Sequence, residues 1–255
     1  MRGSKLAALT RRYFLSILVL AFVVAFLFAC RGRVRTGFPE IKPVDGVADA
    51  RDIDFSQGVY HLVNSWEKYE GLYTPADFQD PASAPQAQSE PHANVSKGTM
   101  RLRILAQPRR YLCLCSFSVD YCTRIFVNGV EVRNIGFVSA DPQQAVPKVR
   151  YFTLPLYPGE SGEIEIIYQY NNYWHRDGGF IQSTQISTPE NIDEYQRGLT
   201  LYSLLLSSGL LFLMFYFLLS AAIQKNREYL ALALCCMVIA LRNQFFFAEH
   251  LHQPN

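Results

Sequence analysis

GLTLYSLLLSSGLLFLMFYFLLSAAI, residues 198–223, contains no charged side chain. A helix needs about 20 predominantly apolar residues to cross the hydrocarbon core of a bilayer, and this stretch is long enough. Two more apolar stretches occur, Tyr13–Cys30 and the weaker Tyr229–Phe247. A polar segment of ordinary domain size separates the first stretch from residues 198–223, whereas only Gln224–Glu228 separates the last two. The layout predicts a membrane-held external domain followed by the first helices of a bundle, as in receptors more often than in soluble enzymes.

The charges beside residues 198–223 predict the direction in which this stretch crosses the membrane. Lys225 and Arg227 follow it, whereas residues 190–197 before it contain three acidic side chains and one basic side chain. Basic residues in short loops remain cytoplasmic. We therefore expect a multi-pass membrane protein, with residues 31–197 extracytoplasmic, helices at 198–223 and 229–247, and residues 248–255 as a truncated external loop.

Residues 1–30 have the composition of a signal anchor or a signal peptide. The segment before Tyr13 is basic, and the apolar core that follows is longer than the usual 7–15 residues of a secretory signal. Cleavage as an ordinary signal peptide, lipidation at Cys30 and retention as an uncleaved anchor remain open alternatives. Residues 31–50 show no clear periodicity and are interpreted as a tether.

Composition and motifs exclude several classes of function. The formal net charge is only +2, and no basic run occurs outside the membrane flanks, so we expect no nucleic-acid partner. No phosphate-binding loop, zinc-protease motif, nucleophile elbow or paired-cysteine motif is present. The sequence therefore predicts a protein that is not itself an enzyme and that holds neither a cofactor nor a metal.

Residues 51–190 show a continuous pattern of short strands. Met100–Ile104 alternates between apolar and basic side chains, as a half-buried strand does. Asn128-Gly129 lies between two apolar runs, and both residues tolerate the positive φ that a tight hairpin requires. About eight strands without an intervening amphipathic helix predict a jelly-roll β-sandwich, with Trp66 in its core.

Three cysteines lie in the predicted sandwich: Cys113, Cys115 and Cys122. They allow at most one disulfide with one thiol left over. A Cys115–Cys122 bridge and three small buried side chains are both open interpretations.

The order and spacing of several short motifs resemble those of a known family, the bacterial seven-transmembrane receptors with diverse intracellular signalling modules. Met100 replaces the Tyr that is usual in the motif at residues 98–102, and the chain contains two of the seven bundle helices and no output domain. A truncated gene or a partial sequence is the expected explanation. The motifs are Trp66-Glu67-Lys68-Tyr69, Thr74-Pro75-Ala76-Asp77-Phe78, Gly98-Thr99-Met100-Arg101-Leu102, Tyr121–Gly129, Asp177-Gly178-Gly179-Phe180 and Leu241-Arg242.

This resemblance implies a protein of the bacterial cytoplasmic membrane, with a galactose-binding-like jelly roll outside and a cytoplasmic output, commonly a histidine kinase or a diguanylate cyclase. The expected function is the sensory and membrane portion of a signal-transduction receptor, with a small molecule such as a carbohydrate as ligand and a homodimer as a candidate assembly. The alternative is a membrane-anchored carbohydrate- or envelope-binding module without signalling. An anchored module needs a single helix, so the third apolar stretch favours the receptor.

The candidate ligand-contact residues lie in the densest aromatic and polar cluster, residues 170–177. Aromatic faces stack on sugar rings, and amide or carboxylate groups bond to hydroxyls. Trp174 and Tyr173 are the candidate stacking residues, and Asn172 and Asp177 are the candidate hydrogen-bonding residues. The alternative is that this cluster packs against the end of the sandwich.

Two charged residues, one within the last apolar stretch and one just after it, are candidates for an intramembrane interaction. Arg242 follows thirteen residues that begin at Tyr229, which places it roughly 20 Å along a helix. Glu249 lies seven residues further on, on nearly the same face. A charge at this depth needs a partner or a route to the interface, so we expect either a shared network or an anchor near the interface.

The topology is testable by cysteine labelling. In intact cells, a membrane-impermeant thiol reagent should label a Ser89→Cys variant, because residues 31–197 are predicted to lie outside, and should not label Lys225→Cys. The reverse labelling pattern would overturn the predicted orientation.

Overall fold

The computed structural model describes residues 38–63, 66–80, 84–87, 96–173 and 184–251. The chain divides into two compact units, one covering Gly37–Glu194 and the other including the chain from Tyr195 onward. The predicted signal or anchor segment, residues 1–30, lies outside the described residues.

The first unit is built almost entirely from β-strands, with two short 3-10 turns at Phe55–Gln57 and Pro75–Phe78. The strands are β1 (Glu40–Ile41), β2 (Val47–Asp49), β3 (Tyr60–Leu62), β4 (Glu67–Glu70), β5 (Lys97–Leu105), β6 (Leu112–Val127), β7 (Val130–Ile135), β8 (Lys148–Leu156), β9 (Glu163–Asn171) and β10 (Thr184–Ser187).

These strands form two mixed sheets. In the first sheet the order is β1-β3-β10-β6-β8. In the second, β9 pairs with β5 on one side and with β6 on the other; β4 and β2 pair in turn with the free edge of β5, and β7 pairs with β6. The predicted jelly-roll β-sandwich is confirmed.

Strand β6 belongs to both sheets. Its first part pairs with β8 and β10, whereas residues from Cys122 onward pair with β9 and β7. The pairing with β8 shifts register between Ser118 and Tyr121, where the strand passes from one sheet to the other. The sequence predicts two strands here, at residues 111–117 and 124–127. One continuous strand forms instead, because neither Gly nor Pro interrupts the residues between them.

Apolar side chains from alternate strand positions fill the space between the sheets. Met100, Leu102 and Ile104 of β5 are fully buried, which confirms the alternation in the sequence. Trp66 is 6% exposed, and its ring lies edge-on to that of Tyr168 with 5.0 Å between centroids. The prediction that Trp66 belongs to the core is therefore confirmed.

The tether predicted for residues 31–50 is wrong for its second half. Strand β1 pairs in parallel with β3, and β2 pairs in parallel with β5. Ala48 and Ala50 are buried against the core. Strands of two or three residues are too short to show a period of two, so their pairing follows from the longer strands beside them.

The Asn128-Gly129 hairpin prediction is confirmed. Asn128 has a φ of 49° and Gly129 a φ of 81°, so both residues occupy the left-handed region as a two-residue hairpin turn requires. The turn joins β6 directly to β7, with Val127 paired to Val130.

The three sandwich cysteines are free and buried. Cys115 and Cys122 lie seven residues apart on the same strand, roughly 20 Å at the rise of an extended chain, which is too far for a disulfide. Burial raises the pKa of the Cys113 thiol to about 12. The structure therefore supports the interpretation of these cysteines as three small buried side chains and contradicts a Cys115–Cys122 disulfide.

The second unit contains two antiparallel helices joined by a tight turn. Helix α1 (Pro189–Gln224) begins before the unit boundary, and helix α2 is Glu228–Leu251. Pro189–Gln224 and Glu228–Phe245 are long and apolar enough to cross a membrane. In the turn, Lys225 has a φ of 52°, and the side chain of Asn226 accepts a hydrogen bond from the backbone N–H of Glu228.

Both helices are longer than the sequence predicts. Helix α1 starts nine residues before residue 198, with polar residues in its first turns. Helix α2 continues to Leu251, so the external loop predicted for residues 248–255 is helical in its first half. The helix continues because no Gly or Pro occurs before Pro254. Residues 252–255 lie outside the described residues.

Trp66 and Tyr168 provide a matched test of the core. Trp66→Ala removes a buried indole and should lower the free energy of unfolding by about 3–5 kcal/mol. Tyr168→Phe keeps the ring but removes a fully buried hydroxyl that has no hydrogen-bond partner among the described residues. Because an unpaired buried hydroxyl is itself destabilising, Tyr168→Phe should be neutral or stabilising. Calorimetric melting of the detergent-solubilised chain measures both effects, and equal destabilisation by the two changes would contradict this packing.

Candidate functional site

The two ends of the sandwich differ in the chain segments that lie at them. Ser187 of β10 pairs with Cys113 of β6, which pairs with Pro155 of β8. The segments that flank these strand ends, residues 106–111, 157–162 and 188–194, therefore lie at one end, which we call the helix end. The opposite end, where β9 finishes at Asn171 beside Lys97 of β5, is the far end.

The described ligand-contact candidates lie at the far end and are held by backbone groups. Asn172 is 3% exposed, and its backbone N–H donates to the carbonyl oxygen of Ser96 at 2.7 Å. The hydroxyl of half-buried Tyr173 donates to the carbonyl oxygens of Ser139 at 3.1 Å and Ala140 at 3.0 Å. Trp174 and Asp177 lie outside the described residues, so the ligand-contact role of this cluster stays a prediction.

The outer face of the second sheet is closed by the loop that follows β4. Thr99 donates to the carbonyl oxygen of Gly71 at 2.8 Å, and Gln169 donates to that of Tyr73 at 2.9 Å. On the same face, Arg101 pairs with Glu165 at 2.6 Å. The side chains that pair and pack here hold the loop in place, so this face is structural.

An open cavity of about 530 Å³ lies at the helix end, beside the connection from β8 to β9. Its lining combines one aromatic ring with polar and acidic groups: Asn128, Tyr157, Pro158, Gly159, Ser161, Glu163 and Glu165. Tyr157 is 43% exposed and packs against Tyr111, which is 62% exposed, with 4.7 Å between ring centroids. This surface combines an exposed aromatic face with hydrogen-bonding groups, as small-molecule sites do.

Hydrogen bonds fix the walls of this cavity. The side-chain oxygen of Asn128 accepts from the backbone N–H of Glu165 at 2.8 Å, and its amide nitrogen donates to the carbonyl oxygen of Tyr157 at 3.3 Å. Ser161 accepts from the backbone N–H of Glu163 at 3.2 Å. The predicted site at residues 170–177 did not include these residues, because in the sequence they are indistinguishable from an ordinary strand connection.

The helix end also contains the junction at which β10 becomes α1. The hydroxyl of Ser187, which is fully buried, donates to the carbonyl oxygen of Gly58 at 2.6 Å. The side-chain amide of Asn191 donates to the carbonyl oxygen of Phe55 at 2.7 Å. Ile192 is 2% exposed. The first turn of α1 is thus built into the sandwich unit.

In the second unit, an asparagine joins the two helices. Asn243 of α2 donates to the hydroxyl of Ser207 at 2.7 Å and to that of Ser203 at 3.0 Å, and both serines are buried. Small side chains at Ala233 and Ala240 are buried on the same helix. The sequence predicts an intramembrane interaction for Arg242 instead, and this residue is exposed on α2. The side chain of Glu249 lies outside the described side chains, so its network with Arg242 stays a prediction.

No family model and no curated protein matches the chain. Solved structures with partial similarity include a GH2 β-galacturonidase from Eisenbergiella tayi (TM-score 0.33, 10% identity, 51% of this chain) and a glycosyl hydrolase family 2 member from Bacteroides cellulosilyticus (0.36, 13%, 51%). A family 35 carbohydrate binding module from Clostridium thermocellum is similar over 48% of this chain, with a TM-score of 0.26 and 17% identity.

The chain spans only 24% and 20% of the length of the two glycoside hydrolases, and 92% of the carbohydrate binding module. All three TM-scores are below 0.5.

The asparagine between the helices can be tested by substitution. Asn243→Ala removes the bonds to Ser203 and Ser207 and should weaken the association of α1 with α2 by about 0.6–2 kcal/mol. Titration with SDS in bicelles measures this as a lower denaturant midpoint for the helical unit. Cys235→Ala, at an exposed position of α2, is the matched control. Identical midpoints for the two variants would show that the polar contact contributes nothing.

Proposed function

We propose that this chain is the sensory and membrane portion of a bacterial signal-transduction receptor, in which the sandwich binds a small ligand and the helices respond to it. The observation that supports this most is the junction of Ser187 and Asn191 with the carbonyl groups of Gly58 and Phe55. A module that only needs to be held at a membrane has no need to build the first turn of its membrane helix into its fold.

The junction provides a physical route for coupling. Phe55 and Gly58 flank the short turn before β3, so a shift of this turn changes the acceptors available to Ser187 and Asn191. A buried hydrogen bond contributes about 0.5–1.5 kcal/mol. A ligand that favours one arrangement of the turn can bias the start of α1 by at most its difference in affinity for the two arrangements.

The arrangement of the two helices favours a helix bundle over a single membrane anchor. One helix suffices to hold a domain at a membrane, whereas here α2 folds back on α1 and joins it through Asn243. Large apolar side chains remain exposed on both helices, as expected for surfaces that meet lipid or further helices: Leu201, Leu204, Leu211, Phe212, Phe215, Leu218, Leu219, Ile223, Leu230, Leu232, Leu234, Met237, Val238, Ile239, Leu241 and Phe245.

The family resemblance implies where the sandwich lies, how many helices the complete receptor has and what its output domain is. In this account the sandwich is extracytoplasmic, the complete receptor has seven bundle helices, and a histidine kinase or diguanylate cyclase on the cytoplasmic side is its output. The chain itself binds and does not catalyse. Carbohydrate is the proposed ligand class, because the sandwich presents exposed tyrosine rings beside hydrogen-bond acceptors.

The competing function is a membrane-anchored carbohydrate- or envelope-binding module. The open cavity with its tyrosine pair favours binding in either case, so ligand binding alone does not separate the two functions. Only a response of the helices to the bound ligand does.

The test uses the full chain in lipid nanodiscs, with Cys30, Cys235 and Cys236 replaced by Ala, which leaves only the buried Cys113, Cys115 and Cys122. Spin labels at Leu204→Cys and Leu241→Cys, both exposed positions within the helical unit, report the separation of α1 and α2. Addition of an oligosaccharide that the chain binds should change the measured distance distribution.

Asn191→Ala is the matched variant for this test. It should still bind the oligosaccharide, because Asn191 does not line the cavity, but the helices should no longer respond. An oligosaccharide that binds the unaltered chain and leaves the distance distribution unchanged would identify the anchored module instead.

A further inference from the structure

Two tyrosines at the helix end are more exposed than their size leads one to expect. Tyr111 immediately precedes Leu112, and Tyr157 immediately follows Leu156, and these two leucines are the last paired residues of β6 and β8 at this end. The rings are tilted by 32° and packed together. Since Tyr111 packs against one side of the Tyr157 ring, the pair forms an aromatic ledge that remains open to solvent.

The ledge borders the cavity described above, whose volume of about 530 Å³ lies within the range of small-molecule sites. Its walls are set before any ligand arrives. Asn128 bridges Tyr157 and Glu165, and Gly162, with a φ of 76°, donates its N–H to the carbonyl oxygen of Pro158. A preformed site avoids the ordering cost that weakens binding by flexible loops.

The three glutamates in and beside the cavity differ in whether they have an ion-pair partner. Glu165 is paired with Arg101, and Glu160 is paired with Arg109. Glu163 is exposed and has no ion-pair partner in the described part of the chain. Its carboxylate is therefore available to accept hydrogen bonds from hydroxyl or ammonium groups, and it repels anions.

We propose that the Tyr157 ledge and Glu163 form a sugar-binding site that takes a neutral or amino-substituted pyranose and rejects uronic acids. One face of the sugar ring stacks on Tyr157, with Tyr111 as the positioning residue behind it, and sugar hydroxyls or an ammonium group donate to Glu163. This inference rests on the proposed function and gives its ligand a class and a place, at the helix end and not at residues 170–177.

The test uses the full chain in nanodiscs and a panel of di- to tetrasaccharides built from glucose, glucosamine or glucuronic acid, titrated by calorimetry. The unaltered chain should bind neutral or amino members more tightly than the matched uronic acid. Tyr157→Ala should weaken this binding about tenfold, as expected for loss of one stacking ring. Tyr157→Phe keeps the ring and should bind like the unaltered chain. Phe137→Ala, at an exposed aromatic outside the cavity, is the control.

Glu163→Gln tests the specificity. It keeps the size and an acceptor but removes the charge, so it should lose the preference against the uronic acid, and binding of glucosamine oligomers should fall several-fold. If a panel member binds equally well to the unaltered chain, Tyr157→Ala and Glu163→Gln, the site is elsewhere, and the proposed receptor function is unaffected. If the folded chain binds no panel member, both this site and carbohydrate as the ligand class are overturned.

Discussion

Two hydrogen bonds tie the start of α1 to the sandwich. Ser187 and Asn191 donate to the carbonyl groups of Gly58 and Phe55, and Ile192 is buried beside them. The carbonyl oxygen of Phe55 also accepts from the hydroxyl of Ser187 at 3.3 Å, and each buried hydrogen bond contributes about 0.5–1.5 kcal/mol. The first turn of α1 therefore cannot move without disturbing the turn before β3, and a change in that turn is felt at the start of the helix.

Strand β6 places the proposed ligand site next to this junction. In the first sheet, β6 has β8 on one side and β10 on the other, with Cys113 paired to Pro155 and to Ser187. Neighbouring strands are about 4.8 Å apart, so Tyr157 lies roughly 10 Å from the end of β10 within the same unit. A sugar bound at the helix end would thus act close to the residues that begin α1, whereas the predicted cluster at residues 170–177 lies at the opposite end of the strands.

The sequence predicts those features that a local pattern encodes. Alternation in β5, the positive-φ pair Asn128-Gly129 and the two long apolar stretches each identify an element without reference to the rest of the chain. It does not predict β1, β2 or the continuity of β6, because these depend on which strand lies beside them. The roles of Asn191 and Asn243 are not predicted for the same reason. The acceptor of Asn191 is Phe55, and both lie together only in the folded chain. The same holds for Asn243 and its acceptors Ser203 and Ser207. The tyrosine ledge likewise joins residues from two separate connections.

Native-state hydrogen exchange of the full chain in nanodiscs can check the claim that the first turn of α1 is part of the sandwich. The backbone N–H of Ile192, bonded to the carbonyl oxygen of Thr188, is the reporter. If the claim holds, this amide exchanges with the same free energy of opening as the amides of β6 and β10, and Asn191→Ala lowers that value for the helix start alone. Exchange at Ile192 as fast as at a fraying helix end, and unchanged by Asn191→Ala, would contradict the claim.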